Sequence, residues 1–253
     1  MTPISATIVT SNEERHIARA IRSLGCAEEV VVVDSGSTDQ TCRIAESLGA
    51  RVLQHSWEGF AAQKNFAAQQ ARYDWILSLD ADEELDAEAQ QAIREWKSSR
   101  PAASGYRFCR RALYCGRWIR HSGWYPDEKI RLYDRKSAEW QGAYVHESVV
   151  ARGAVLRMRG EIRHYTCDSF EEHRLRIEFY TDLAARELLH QKARVGLARR
   201  FAAPAWVFLR TYFLQLGFLD GRQGFWIARM AARFVRRKYQ KWQALAQKDN
   251  ALT

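Results

Sequence analysis

The chain reads as an α/β protein, with a mixed, mainly parallel sheet flanked by helices and a basic, amphipathic helical extension at its C-terminal end. Three observations predict this. Short apolar runs alternate with helical patterns over the first hundred residues, the order that builds a parallel sheet with helices on both faces. Glu29-Val30-Val31-Val32-Val33-Asp34 is a nearly unbroken β-branched run, suited to a strand buried on both faces. Positive charge is uneven: 16 Lys and Arg stand against 5 Asp and Glu from His173 onward, and 23 against 25 before it. These shifts divide the chain at 1–165 and 166–253.

Taken in order, Ile4 to Thr10 is the first strand. Ser11 and Glu14, at capping-box spacing, introduce a helix whose apolar face is Ile17, Ala20, Ile21 and Leu24. The valine strand ends at Asp34, in a polar turn. Ser37 and Gln40 repeat the capping spacing, and the helix they begin stops at Gly49. Arg51 to His55 is a third strand and Phe60 to Arg72 a helix. Trp75-Ile76-Leu77-Ser78-Leu79-Asp80-Ala81-Asp82-Glu83-Glu84 is an apolar strand ending in carboxylates, followed by a helix from Asp86 to Ser99. After Pro101 the pattern loosens. Gly105 to Tyr114 and Lys129 to Tyr133 are strand-like, separated by aromatic-rich segments, and strand-like pieces continue to about Arg163. Three helical stretches close the chain: Phe170 to Gln191, with Ser169 and Glu172 as a cap, Leu197 to Leu219, and Gly224 to Leu245. Gly196, Pro204 and Asp220-Gly221 punctuate them.

Composition excludes several classes. With 47% hydrophobic residues a packed core is expected and disorder is not. The start has no basic stretch followed by an apolar one, so no signal peptide is read. No apolar run approaches the roughly 20 residues of a membrane span. Five cysteines without C-x-x-C spacing read as reduced thiols, and the expected location is the cytoplasm.

In such a sheet Thr10, Asp34 and Asp80 lie at carboxyl ends of neighbouring strands, on one rim, where open α/β sheets bind ligands. Asp80 and Asp82, one residue apart at a strand tip, can share a hard divalent cation that also grips phosphate oxygens. The alternative is that Asp82, Glu83, Glu84 and Asp86 complement the dipole of the next helix, and the strand-tip position shared with Asp34 favours the cation. Asp34 can accept a base N–H, or it can simply build its Asp-Ser-Gly turn.

Val31-Val32-Val33-Asp34-Ser35-Gly36-Ser37-Thr38-Asp39, then Lys64-Asn65, then Trp75 to Glu83 together resemble an inverting glycosyltransferase of family 2, with the Rossmann-like GT-A fold. The resemblance covers about residues 3–150. It implies a nucleotide-sugar donor, a UDP-hexose, and a Mg²⁺ or Mn²⁺ ion. By the family pattern Thr10, Glu13 and Asp34 line the nucleoside pocket with Lys64 nearby, Asp80 meets the ribose or the metal, and Asp82 ligates the metal. Many members carry their general base in a downstream Glu-Asp pair, which this chain lacks there. Glu147, in Gly142-Ala143-Tyr144-Val145-His146-Glu147, takes that place, with Asp127 in reserve. The His-Glu pair is similar to a subgroup of lipopolysaccharide inner-core glucosyltransferases. His146 then completes the metal shell or orients Glu147, and the implied reaction carries glucose from UDP-glucose to an inner-core sugar.

Acceptor contacts are expected from Trp124 and Tyr125, whose faces suit sugar rings, and from Arg131 in a basic rim with Arg107, Arg110, Arg111, Arg117 and Arg120. The tail interleaves Arg199-Arg200, Arg210, Arg229, Arg233 and Arg236-Arg237-Lys238 with large aromatics. Such helices can lie on an anionic membrane surface beside a lipid-linked saccharide acceptor, or pack internally. Nucleic acid is not the expected partner. The chain is thus expected on the inner face of the cytoplasmic membrane as a peripheral protein. A nucleotidyltransferase would need a glycine-rich basic loop after the first strand, and Thr10-Ser11-Asn12-Glu13-Glu14 is not one. A non-catalytic adaptor on the same scaffold is the remaining alternative.

Overall fold

The computed structural model describes residues 1–142, 147–191 and 195–252, with side chains through residue 247. Contacts divide the chain into two compact units, Met1–Arg111 with Asp127–Tyr165, and Ala112–Pro126 with Thr166–Thr253. In chain order the strands and helices are β1 (Ile4–Thr10), α1 (Ile17–Ser23), β2 (Glu29–Asp34), α2 (Thr41–Ser47), β3 (Arg51–Gln54), α3 (Phe60–Gln70), β4 (Trp75–Asp80), β5 (Glu83–Leu85), α4 (Ala87–Lys97), β6 (Gly105–Tyr114), β7 (Arg117–Trp118), β8 (Asp127–Asp134), β9 (Ala138–Gln141), β10 (Ser148–Ala151) and β11 (Val155–Cys167). The helices α5 (Phe170–His190), α6 (Leu197–Leu209) and α7 (Gly221–Leu252) follow.

The sheet runs β3-β2-β1-β4-β8-β6-β11-β5, with β7 paired to β6. Its β3-β2-β1-β4 half is parallel. From β4 to β8 and β8 to β6 the pairing is antiparallel, as it is between β11 and β5. The sheet is therefore mixed, and the expectation of a mainly parallel one is corrected. Parallel pairing requires a crossover, usually a helix. Helices α1, α2 and α3 supply crossovers only among the first four strands.

The alternation of side chains explains the layers. Ile4, Ala6 and Ile8 of β1, Val32 of β2 and Leu77 and Leu79 of β4 pack with Ile17, Ala20 and Ile21 of α1, Ala45 of α2 and Ile93 of α4. Val31 and Val33 face the other way, against Ala67 of α3. The valine run of β2 is thus buried on both faces, as its composition predicts.

Two predicted caps do not form. Helix α1 begins at Ile17, beyond Ser11 and Glu14, because Asn12 adopts a left-handed conformation (φ 55°) that breaks the chain direction. Ser37 does not cap α2, whose N-cap is Gln40; its hydroxyl instead bonds the Asp34 carboxylate and accepts from the Asn12 N–H. By contrast Asp86 caps α4 by accepting from the Ala89 N–H at 2.7 Å. The acidic stretch after Asp82 forms a short strand, β5, of its own. Its pairing with β11 sets His164 opposite Glu83. Gly160, with φ 83°, lets β11 pass α4 closely, since a Cβ there would overlap the backbone of Ala89.

In the second unit Ser169 caps α5 through the Glu172 N–H, as expected. Pro204 does not stop α6; the helix runs past it into a π-helical turn, Arg210–Leu214. The single helix expected from Leu197 to Leu219 ends there, because Leu216 turns left-handed (φ 54°) before a 3-10 turn, Gly217–Asp220. Asp220 is buried and accepts from the backbone N–H groups of Arg120 and His121 and from the Ser122 hydroxyl, at 3.0–3.2 Å. Phe170 stacks on Trp226, and Tyr239 and Trp242 pack with Ala185 and Val195.

Glu178 of α5 meets Arg233, Arg237 and Lys241 of α7. Hydrogen bonds, first from Arg237, hold its carboxyl down to about 2 against the burial that raises it. A carboxyl lowered on folding contributes stability above its unfolded value of roughly 4.3, which fades as pH falls toward the folded value. Glu178→Gln is therefore expected to flatten the fall in thermal midpoint between pH 5 and pH 3, read by circular dichroism. An unchanged acid slope would show that these ion pairs are fully screened by water.

Candidate active site

The order β3-β2-β1-β4 puts a topological switch between β1 and β4, where the connections from neighbouring strands run to opposite sides, the place at which open α/β sheets bind ligands. The register brings Thr10 opposite Asp34 and Val9 opposite Asp80. Thr10, Asp34 and Asp80 therefore share one rim, as the alternation of elements predicts.

Asp34 is fully buried, and its turn is built on its own carboxylate. Oδ2 accepts from Gly36 N–H at 3.0 Å and Ser37 N–H at 2.8 Å, and Oδ1 takes the Ser37 hydroxyl. Burial pushes this carboxyl up, but the hydrogen bonds of Ser37, Gln54 and Gly36 outweigh it and keep the carboxylate ionised. Thr10 beside it is buried, and its hydroxyl has no partner among the described residues. A buried hydroxyl left open at a strand tip is suited to a ligand's polar group. Glu13 lies in the turn after β1, its N–H donating to Thr41 Oγ1 at 2.8 Å and its carboxylate 2.9 Å from His16 Nδ1.

Helix α3 carries Lys64-Asn65 for two separate purposes. Asn65 pins β9, exchanging hydrogen bonds of 2.9 and 3.0 Å with the backbone of Trp140. Lys64, only 2% exposed, places its ammonium 2.8 Å from Asp80 Oδ1 and 3.0 Å from Glu147 Oε1, with the Trp140 ring centroid at 4.2 Å. One cation thus joins the tip of β4 to the residue just before β10.

Arg131 of β8, also 2% exposed, holds the other side of Asp80, with Nη2 2.9 Å from Oδ2 and 2.6 Å from Glu83 Oε1. Glu83 also receives Arg110 Nη1 at 3.0 Å and, through Oε2, the Asp80 N–H at 3.1 Å. Arg110 continues to Asp127 at 2.7 Å. Burial raises the Asp80 carboxyl, but Arg131 and Lys64 outweigh that and hold it well below the usual range. Asp127 is likewise lowered, burial being outweighed by Arg110 and Lys129. Nε and Nη1 of Arg131 are buried and have no hydrogen-bond partner among the described residues.

Asp82 faces another neighbour. Its Oδ2 lies 3.2 Å from His164 Nε2, and its carbonyl accepts the Tyr165 N–H at 2.9 Å. Among the described residues no three side chains of metal-binding type converge. Asp82 with His164 is still a suitable donor set, a hard oxygen and an imidazole nitrogen, for Mg²⁺ or Mn²⁺ completed by phosphate oxygens. Both oxygens of Asp80 are already occupied by cations.

Of the residues singled out in the sequence, Thr10, Asp34, Lys64, Asp80, Arg131 and Glu147 gather in the first unit through the rim or the ion-pair chain, and Asp127 joins by way of Arg110. Trp124 and Tyr125 belong to the second unit, where Trp124 packs edge-on against Tyr114. His146 lies outside the described residues. Most of the supposed basic rim is paired: Arg107 with Glu128, Arg110 with Glu83 and Asp127, Arg111 with Glu161. Sequence reasoning passed over Glu83 and His164. Period-2 alternation from Asp80 places Asp82 and Glu84 on one face and Glu83 on the other, a signal for the first. Nothing local marks His164, 82 residues from its partner.

The sequence profile described as glycosyl transferase family 2 matches residues 5–158. The chain belongs to this family. Among relatives, an uncharacterized glycosyltransferase of Rickettsia typhi is 34% identical over 237 residues, spanning 89% of this chain and 81% of its own. The lipopolysaccharide core biosynthesis glycosyltransferase LpsC of Rhizobium meliloti is 30% identical over 231 residues, 88% and 83% of the two chains. A solved structure of Staphylococcus aureus TarS is similar at a TM-score of 0.49 and 17% identity, covering 95% of this chain and 92% of that one. In this glycosyltransferase the family match takes in β1 to the start of β11, and with it the whole ion-pair chain from Glu147 to Asp127.

Proposed function

We propose that this glycosyltransferase moves a hexose from a UDP-sugar to a lipid-linked or polysaccharide acceptor, inverting the anomeric centre with the help of a divalent cation. The observation that carries the reading is the β1–β4 rim, where a buried open hydroxyl (Thr10), a buried carboxylate (Asp34) and the Asp80–Asp82 tip stand together. Lipopolysaccharide core glycosylation is one case within that acceptor class, supported by the likeness to LpsC, while the Rickettsia relatives leave the class broad.

In this reading Thr10, Glu13 and Asp34 hold the nucleoside, and Asp80, fixed by Lys64 and Arg131, meets the ribose. Asp82 and His164 hold the cation, which when bound offsets the charge developing on the departing diphosphate. Glu147 takes the proton of the acceptor hydroxyl as its oxygen bonds the anomeric carbon and the bond to diphosphate breaks. Within the first unit Arg131, whose Nε and Nη1 are buried without a hydrogen-bond partner among the described residues, serves the acceptor side.

The test is UDP release across a panel of nucleotide sugars, with and without lipid-linked acceptors, for the unaltered chain and for Asp82→Ala. Removing a charged ligand from the leaving-group side is expected to lower Mn²⁺-dependent transfer by about 10²-fold or more. Full transfer by Asp82→Ala would overturn the proposal.

A further inference from the structure

Helix α6 has an unusual surface. None of its residues is buried, although it is rich in apolar side chains. Leu197, Phe201, Leu209 and Phe213 recur at four- and eight-residue spacing along one line, with Trp206 and Leu214 beside it, and all are exposed, Phe201 at 78%, Leu197 at 69% and Leu214 at 66%. Side chains four apart on a helix share a face. The opposite side of α6 supplies Ala203 to the cluster around Tyr239 and Trp242. The helix therefore has two apolar faces and a covering for one.

Charge says what covers the other. Between Glu187 and Asp220 there is no acidic residue, while Lys192, Arg194, Arg199, Arg200 and Arg210 are all basic. Arg199 and Arg210 are exposed on α6 and at its end. Helix α7, by contrast, turns Arg233, Arg237 and Lys241 to Glu178 of α5. No described helix is long and apolar enough to cross a membrane. A helix of low charge, aromatic on one side and bordered only by cations, is the form that lies flat at the headgroup level of an anionic bilayer.

We propose that α6 and the π-helical turn after it are a docking face for an anionic lipid surface. The Phe201–Phe213 row enters the acyl boundary, and Arg199 and Arg210 meet headgroup phosphates. This deepens the proposal of a membrane-borne acceptor by naming the segment that reaches the membrane, but its evidence is independent of the transfer reaction.

The test uses the full chain with vesicles that contain neither donor nor acceptor, so that its outcome is separate from that of the transfer assay. Co-sedimentation is measured with phosphatidylcholine vesicles with and without phosphatidylglycerol. Binding is expected only with the anionic lipid and weakens with added salt. Phe201→Glu with Phe213→Glu, and separately Arg199→Glu with Arg210→Glu, are each expected to lower the partition coefficient about tenfold or more, with thermal midpoints unchanged because these side chains are exposed. Three results would overturn the proposal: no sedimentation of the unaltered chain with anionic vesicles, sedimentation of either variant equal to that of the unaltered chain, or a dimer in solution that the paired phenylalanine variant dissolves, which would assign the face to a second copy.

Discussion

Glu147→Gln is expected to bind UDP nearly as the unaltered chain does while losing transfer by about 10²–10⁴-fold, the range of a general base. The substitution keeps an oxygen that can still accept from Lys64, now 3.0 Å from the carboxylate, so the tie between β4 and β10 survives. What it removes is the group that can take a proton. UDP affinity by calorimetry and single-turnover transfer separate the two roles. If UDP affinity fell together with transfer, Glu147 would act as an anchor for Lys64 and Asp80. If transfer persisted in Glu147→Gln but vanished in Asp127→Asn, the base would be Asp127. Against that alternative stands the pairing of Asp127 with both Arg110 and Lys129.

Arg131→Met is expected to be the most destabilising single change in the first unit. It leaves Asp80 without one of its two cations and removes from buried Glu83 its 2.6 Å partner. Breaking a buried ion pair from one side costs about 3–5 kcal/mol, because the remaining charge is stranded away from water. At roughly 2–4 °C per kcal/mol for a domain of this size, the midpoint should fall by about 6–20 °C. Adding Glu83→Gln should recover part of the loss, since the stranded charge is then gone. The pH dependence has a definite sign. Asp80's carboxyl is held well below its unfolded value, so its contribution is complete above about pH 4 and fades below it. The gap between the unaltered chain and Arg131→Met should therefore narrow in acid. A midpoint shift within error at neutral pH would show that Arg131 is not the partner these distances imply.

The parallel half of the sheet was legible because its signals are local. Val30 to Val33 can only be a two-sided strand, Trp75 to Leu79 stops at Asp80, and the helix between such strands fixes the parallel sense of β1, β2 and β4. The rim residues Thr10, Asp34 and Asp80 followed from strand ends alone. Helix starts were less legible. Ser11 and Ser37 have the spacing of caps, but Asn12 bends the chain and Asp34 competes for the Ser37 hydroxyl.

The sequence by itself thus determined the parallel sense of the first strands, the acidic tip at Asp80-Ala81-Asp82 and the family, while their order in the sheet came from the structure. The tertiary structure decided which charges meet. Lys64 lies 83 positions from Glu147, Arg131 48 from Glu83, and His164 82 from Asp82. No periodicity encodes such separations, because each depends on how strands from distant parts of the chain come into register. It also decided which apolar side chains of the tail are covered, helix by helix: α7 turns Trp226, Tyr239 and Trp242 inward, while α6 leaves Phe201 and Trp206 in the open. Both helices have aromatic and basic residues at helical spacing, so only the position of a neighbouring helix determines which apolar face is covered.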